Sequence, residues 1–320
     1  LSGPMYYIRD GLKAPWLGVV IAVLMCTKMM GANLVQSNTI SGVLSSNYNV
    51  PTWLTGIVLI CCLMAVVMGG LKRLANIATS LVPIMSIFYV VVGLLVILLN
   101  IQQVPEVIKE IFTQAFSMKA VAGGTGGYVI ARAMQYGITR GMYSNEAGEG
   151  TASFAHGSAI VDHPCEEGIT GVTEVFLDTI IICSITAIVI GVTGIYQSDL
   201  SPAVMAIESF GTVWGPLKHL ATFALLLFCF TTLMGQWFNA AKSFTYAFGS
   251  KVTDKVRFVF PFLCIIGALT KISLVWTIQD VAMGLVIIPN LIALIILFPQ
   301  VREQTKDYFS NPKFYPQDKK

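Results

Sequence analysis

Residues 74–104 contain no Asp, Glu, Lys or Arg. About 20 apolar residues cross the hydrocarbon core of a bilayer, so this stretch alone is long enough for one passage. Lipid offers no partner to a backbone amide, and only helices or closed barrels span it. A soluble domain carries roughly a quarter charged residues, whereas this chain of 320 residues carries 12 %, with 55 % hydrophobic. The reading is an all-α polytopic membrane protein. The net charge of +3 does not indicate a nucleic-acid partner, because the basic residues fall mostly in inter-helix loops rather than on one face. The seven cysteines have no paired loop spacing, and all but Cys165 sit in apolar stretches, where a free thiol acts as a small hydrophobe.

Hydropathy predicts one transmembrane domain over 1–320 with eight membrane segments. Seven are continuous, at 16–44, 53–68, 77–99, 172–192, 219–248, 258–274 and 281–298; the other, 120–160, is interrupted near 143–150. Residues 198–218 read as a loop helix over one mouth, and 301–320 as a tail. If the first span starts in the cytoplasm, the inner loops hold twelve Lys and Arg, among them Arg9, Lys72, Arg257 and Lys306. The outer loops hold four, Lys109, Lys119, Lys218 and Lys271. That bias predicts a multi-pass protein of the cell membrane with its C-terminus cytoplasmic. The chain opens on Leu1-Ser2-Gly3-Pro4 and reads as beginning partway through a longer protein.

The interruption is the chemical feature. Arg140-Gly141-Met142-Tyr143-Ser144-Asn145-Glu146-Ala147-Gly148-Glu149-Gly150 places two carboxylates, an Asn, a Ser and three glycines where a helix in lipid should be apolar. Such a segment survives only inside protein or beside a water-filled cavity, and broken helices of this kind expose main-chain groups in secondary transporters. Amides at a helix start suit an α-carboxylate, and carbonyls freed by unwinding suit sodium or an ammonium. The plainer alternative is a loop between two short helices.

Several motifs carry a resemblance: Gly3-Pro-Met-Tyr-Tyr-Ile8, Gly31-Ala-Asn-Leu-Val-Gln-Ser-Asn38, Gly137-Ile-Thr-Arg-Gly-Met-Tyr-Ser-Asn-Glu-Ala-Gly148, Val175-Phe-Leu-Asp-Thr179 and Ile288-Pro-Asn-Leu291. Together they resemble the alanine/glycine:cation symporter family, in order over nearly the whole chain. The resemblance implies a leucine-transporter-like inverted-repeat fold, here lacking the first two core helices and so holding half a site. It implies sodium-coupled, less often proton-coupled, uptake of alanine or glycine by alternating access, with sodium as the coupling ion and no other cofactor or metal. In the eighth core helix Gln236 stands where the family usually has Trp, and Ala241 where it has Glu, which bears on substrate size.

The candidate substrate residues are Gln36, Asn38, Tyr143, Ser144, Asn145, Ala147, Gly148 and Gln236. Glycines at 148 and 150 permit positive φ and close approach, and Tyr143 could wall a pocket for a small side chain. Gln36 and Asn38, with Asn33, could equally be amides that glue helices together. Candidate ion ligands are Thr231, Thr232, Glu146 and Asp178. The resemblance assigns the threonines to sodium, a hard cation that prefers oxygen, although a threonine hydroxyl often bonds its own helix. Glu146 could balance a cation or tie down freed amides. Glu174, four residues before Asp178, suits a helix dipole better than an ion. Lys28 in its apolar stretch should snorkel or pair with a carboxylate.

An enzymatic reading would rest on His156, Asp162, His163 and Cys165, but their spacing matches no helix-borne zinc pattern. The run Gly123-Gly124-Thr125-Gly126-Gly127 lacks the following Lys-Ser/Thr of a phosphate loop. The chain is therefore not expected to be an enzyme. Rival readings are a proton-coupled or different-substrate amino-acid transporter, and a membrane fragment that transports nothing.

Overall fold

A computed structural model describes residues 2–116 and 126–315; Lys119, the start of the glycine-rich run at 123–125 and the last five residues lie outside it. Among the described residues fourteen α-helices follow in order: α1 (Pro4–Gly11), α2 (Pro15–Tyr48), α3 (Thr52–Met68), α4 (Gly70–Leu99), α5 (Val104–Phe116), α6 (Gly126–Ser144) and α7 (Ala152–His156). Then come α8 (Pro164–Val175), α9 (Ser184–Thr193), α10 (Pro202–Val213), α11 (Gly215–Phe248), α12 (Ser250–Val259), α13 (Leu263–Leu269) and α14 (Ile272–Ser310). A π-helical stretch, Phe176–Cys183, joins α8 to α9, and a 3₁₀ turn, Phe260–Phe262, joins α12 to α13. No strand occurs among the described residues.

Proline begins many of these helices. It sits in the first turn of α1, α2, α8, α10 and α11, where its missing N–H would have had no partner in any case. The left-handed Asn49 ends α2, its N–H returning to Ser45 O at 3.1 Å.

Among the described residues, five segments are long and apolar enough to cross a membrane: α2, Thr79–Leu99 within α4, the continuous Pro164–Thr193, α11 and α14. The apolar α3 is shorter, at 17 residues. Large apolar side chains face outward along α4 at Ile84, Ile87, Val91, Leu95 and Leu98, a helical stripe that water would penalise and acyl chains accept. On α14 the same holds for Ile288, Ile292 and Ile295. The protein is an integral, all-helical membrane protein.

The centre of the molecule is α2, which contacts α11, α14, α13, α1 and α3. Met25 and Met29 of α2 are fully buried with Leu63 of α3 and Leu233 and Met234 of α11. The approach of α13 to α2 depends on small residues, as in membrane bundles where backbones meet closely. A Cβ on Gly267 would lie 2.6 Å from Leu34 O and 2.8 Å from Leu34 Cα. Asn38 Nδ2 donates to Gly267 O at 2.9 Å and Thr270 O at 2.7 Å, satisfying carbonyls that the end of α13 leaves open.

The expected span at 258–274 covers the end of α12, the 3₁₀ turn at Pro261 and the seven-residue α13, which rises about 10 Å and follows the turn directly. At the other end α14 runs past 298 to Ser310, into the expected tail. There Tyr308 is buried and its ring lies 5.1 Å from that of His163. The 198–218 segment forms α10, packed on α9 and α11.

Candidate functional site

Between α6 and α7 the chain leaves helical geometry over residues 145–151. Three residues there have left-handed backbones: Glu146 at φ 50°, Gly148 at 74° and Gly150 at 79°. Glycine adopts that region freely, so the two glycines at these positions fit the unwinding. Glu146 has no such freedom and is held locally, its Oε2 accepting from Thr151 Oγ1 at 2.5 Å. The carbonyls of Gly141 and Met142 accept from the amides of Asn145 and Ala147 at 3.0 Å each. No such return bond reaches Tyr143 O or Ser144 O among the described residues, so the break leaves both of these last α6 carbonyls without a main-chain partner.

Three neighbours clamp the break. From α14, Asn290 Nδ2 donates to Gly148 O at 2.7 Å, and Asn290 is itself fixed by Tyr7 Oη of α1, which donates to its Oδ1 at 2.5 Å. From α2, Lys28 Nζ pairs with Glu149 at 2.6 Å, both side chains essentially sealed from solvent (2 % and 0 % exposed). From the π-helical stretch, Asp178 accepts from Ser144 Oγ at 2.8 Å and Thr179 donates to Asn145 Oδ1. A π-helical segment often marks a functional site.

Above the break, Gln36 Nε2 donates to Tyr143 Oη at 3.3 Å, and the Tyr143 ring meets Trp276 edge to face at 5.2 Å between centroids. Arg140 lies 3.7 Å over the Trp276 ring and holds Asp280 with two bonds of 2.6 and 3.0 Å. This chain of contacts joins α2, α6 and α14 on the side of the break that precedes Ser144.

The sequence candidates thus fall into groups. Gln36, Tyr143 and Gly148 share one region with Lys28, Glu149 and Asn290. Ser144, Asn145, Glu146 and Asp178 line a separate cavity of about 620 Å³ with His156 and Glu174. Ala147 is exposed beside the break. Asn38 stands apart, with its amide donating to α13. Thr231 and Thr232 donate to carbonyls of their own helix, Thr231 to Leu227 and Phe228 at 3.0 Å and Thr232 to Phe228 at 2.9 Å. This is the local alternative for a helical threonine, although each hydroxyl keeps lone pairs that can accept a cation. Gln236 is buried and its Oε1 has no hydrogen-bond partner among the described residues.

Glu149, Asn290, Tyr7 and the Arg140–Asp280 pair were not among the candidate site residues, although Tyr7, Arg140, Glu149 and Asn290 stand in the motifs and the polar run quoted above. Glu149 carried a further signal, a carboxylate between two glycines with one unexplained lysine in an apolar helix elsewhere.

His156 sits between two carboxylates, with Nδ1 2.6 Å from Glu167 and Nε2 2.9 Å from Glu174.

The sequence profile of the sodium:alanine symporter family matches residues 1–319. The chain belongs to that family. Its relatives include an uncharacterized transporter of Haemophilus influenzae, 36 % identical over 326 residues, covering 99 % of this chain and 71 % of the relative. The sodium/alanine symporter AgcS of Methanococcus maripaludis is 33 % identical over 318 residues, covering 96 % and 69 %. The probable sodium/glutamine symporter GlnT of Bacillus subtilis is 33 % identical over 322 residues, covering 98 % and 65 %.

Members of the sodium:alanine symporter family are transporters, not enzymes. The main-chain groups of the break are held between α2, α14 and the π-helical stretch. His163 caps α8 by accepting from Cys165 N at 3.2 Å, and His156 joins α7 to α8 through Glu167 and Glu174.

Proposed function

We propose that this protein is a sodium-coupled symporter of small neutral amino acids, alanine or glycine, working by alternating access in a leucine-transporter-like fold of the cell membrane. Its C-terminus is cytoplasmic in this reading, as the loop charges suggest. The observation that carries the proposal is the unwound segment 145–151, with left-handed backbone at 146, 148 and 150, packed against α2 and α14. Main-chain groups freed there bind substrate without the reorganisation that flexible side chains would need. Gly148 lets the substrate approach the backbone, Gln36 and Tyr143 bound the pocket, and Ser144, Asn145 and Ala147 complete the turn.

Sodium travels as a co-substrate, and no other cofactor enters. Thr231, Thr232 and the carboxylates of Glu146 and Asp178 supply the hard oxygen ligands it favours. Bound sodium drives uptake only if it binds the substrate-competent conformation more tightly than the other. On this reading Thr232→Val removes one oxygen and raises the sodium concentration for half-maximal uptake by roughly ten-fold, the equivalent of about 1.4 kcal/mol. Unaltered sodium dependence would remove Thr232 from the ion site.

One observation favours a second substrate. The unpaired carbonyl of buried Gln236 is an acceptor suited to a side-chain N–H or O–H, and the relative GlnT is named for glutamine. Competition of labelled alanine uptake by glycine, serine and glutamine separates these substrates. Inhibition by glutamine but not glycine would favour the larger, polar one. Uptake driven by a pH jump without sodium would instead identify a proton as the coupling ion.

A further inference from the structure

The pair Lys28–Glu149 is absorbed by neither the substrate nor the ion reading. Its nitrogen and oxygen lie 2.6 Å apart, with side chains 2 % and 0 % exposed, in the middle of α2 and at the far end of the break. The same ammonium lies 5.9 Å from the centre of the Tyr143 ring, which precedes the break. One α2 side chain therefore touches both flanks of the unwound segment. Thr151 Oγ1 donates to Glu146 Oε2 at 2.5 Å, and the cation facing Glu149 is Lys28. Taking two charges out of water is costly, and an apolar pair of similar size is often as stable, so stability alone gives no reason for this arrangement.

We propose that Lys28 and Glu149 are a positioning pair in which the lysine is the resident counter-cation of the break. The ammonium neutralises Glu149 and holds 145–151 against α2, so that Tyr143 O, Ser144 O and the Gly148 backbone keep their geometry. It also divides the labour of the two carboxylates. Glu149 is matched within the protein, and Glu146, with no cation beside it among the described residues, is the one left for a transported charge. The groups facing Glu149 are Lys28 of α2, Tyr143 of α6, and Glu146 and Thr151 of the break itself.

Only the uptake arm of the test rests on the transport reading. Lys28→Met leaves a lone buried carboxylate, which takes a proton to shed its charge. Uptake of this variant should fall more than about ten-fold at pH 7.5 and recover, relative to wild type, near pH 5.5. Lys28→Met/Glu149→Gln should regain most of the lost uptake and show no acid rescue. Lys28→Arg should keep the wild-type pH profile. Melting temperatures of the same purified proteins at both pH values should follow the same order, and they decide the matter even if alanine is not the substrate. A Lys28→Met protein with the wild-type pH profile, or a double variant as impaired as the worse single one, would overturn the proposal.

Discussion

Replacing Gly148 by Leu is expected to abolish uptake while leaving the protein inserted in the membrane. At φ 74° a side chain costs about 1–2 kcal/mol in backbone strain alone. The first added carbon would also lie 3.0 Å from Leu291 Cδ2 and 3.5 Å from Ile287 Cγ2 of α14. Those contacts are with the ends of flexible side chains, so the bundle can yield and still assemble. The break cannot keep its shape, because Gly148 O is held by Asn290 of the same helix. Together the effects amount to at least about 2 kcal/mol, or roughly a thirty-fold loss of uptake. Gly137→Leu, where nothing lies within 4 Å of the added carbon, is the control for bulk and should transport normally. Equal uptake by Gly148→Leu and wild type would remove the break from the substrate path.

Gly267→Leu should have the larger effect on the fold. Here the added carbon meets backbone, Leu34 O at 2.6 Å and Leu34 Cα at 2.8 Å, and neither can move without parting α13 from α2. That separation would also break the Asn38 bonds to Gly267 O and Thr270 O and the Ser41 bond to Ala268 O at 3.2 Å. The expected cost exceeds about 4 kcal/mol, enough to unfold a marginally stable protein. Little or no monodisperse protein should be recovered by size-exclusion chromatography. Gly284→Leu on α14, which meets nothing within 4 Å, should purify like wild type. Normal recovery of Gly267→Leu would show that the α2–α13 contact is dispensable.

The two predictions differ because one glycine faces side chains and the other faces backbone, a distinction no sequence displays. Hydropathy did locate α2, α3, α4, α11 and the Pro164–Thr193 segment, since burial in lipid leaves a long apolar run whatever the neighbours are. It also located the break, because Glu146, Gly148 and Glu149 are too polar to lie in a lipid-facing helix. Across 258–274 the apolar run covers the end of α12, the 3₁₀ turn at Pro261 and α13. Scales that weigh transfer energy do not register a missing N–H. The π-helical stretch at 176–183 was invisible as well, since its residues read like any apolar helix.

Site chemistry was legible where it was local and obscure where it was tertiary. Lys28 demanded a partner by its burial, but the partner is Glu149, far along the chain, and only the packing of α2 on the break brings them together. Asn38 looked like Gln36, two residues away on the same helix. In the fold Gln36 turns toward Tyr143 and Asn38 toward the end of α13, so one amide borders the break and the other closes a helix. Thr231 and Thr232 show the reverse limit: their residue type suits sodium, and their geometry shows bonds to their own helix.

The measurement that bears most directly on the central claim is uptake of labelled alanine by the full-length gene product in proteoliposomes, with sodium outside and then with choline in its place. The account predicts concentrative uptake in sodium that collapses in choline. Equal uptake in both, or alanine entry that never exceeds that of empty liposomes under either condition, would contradict it.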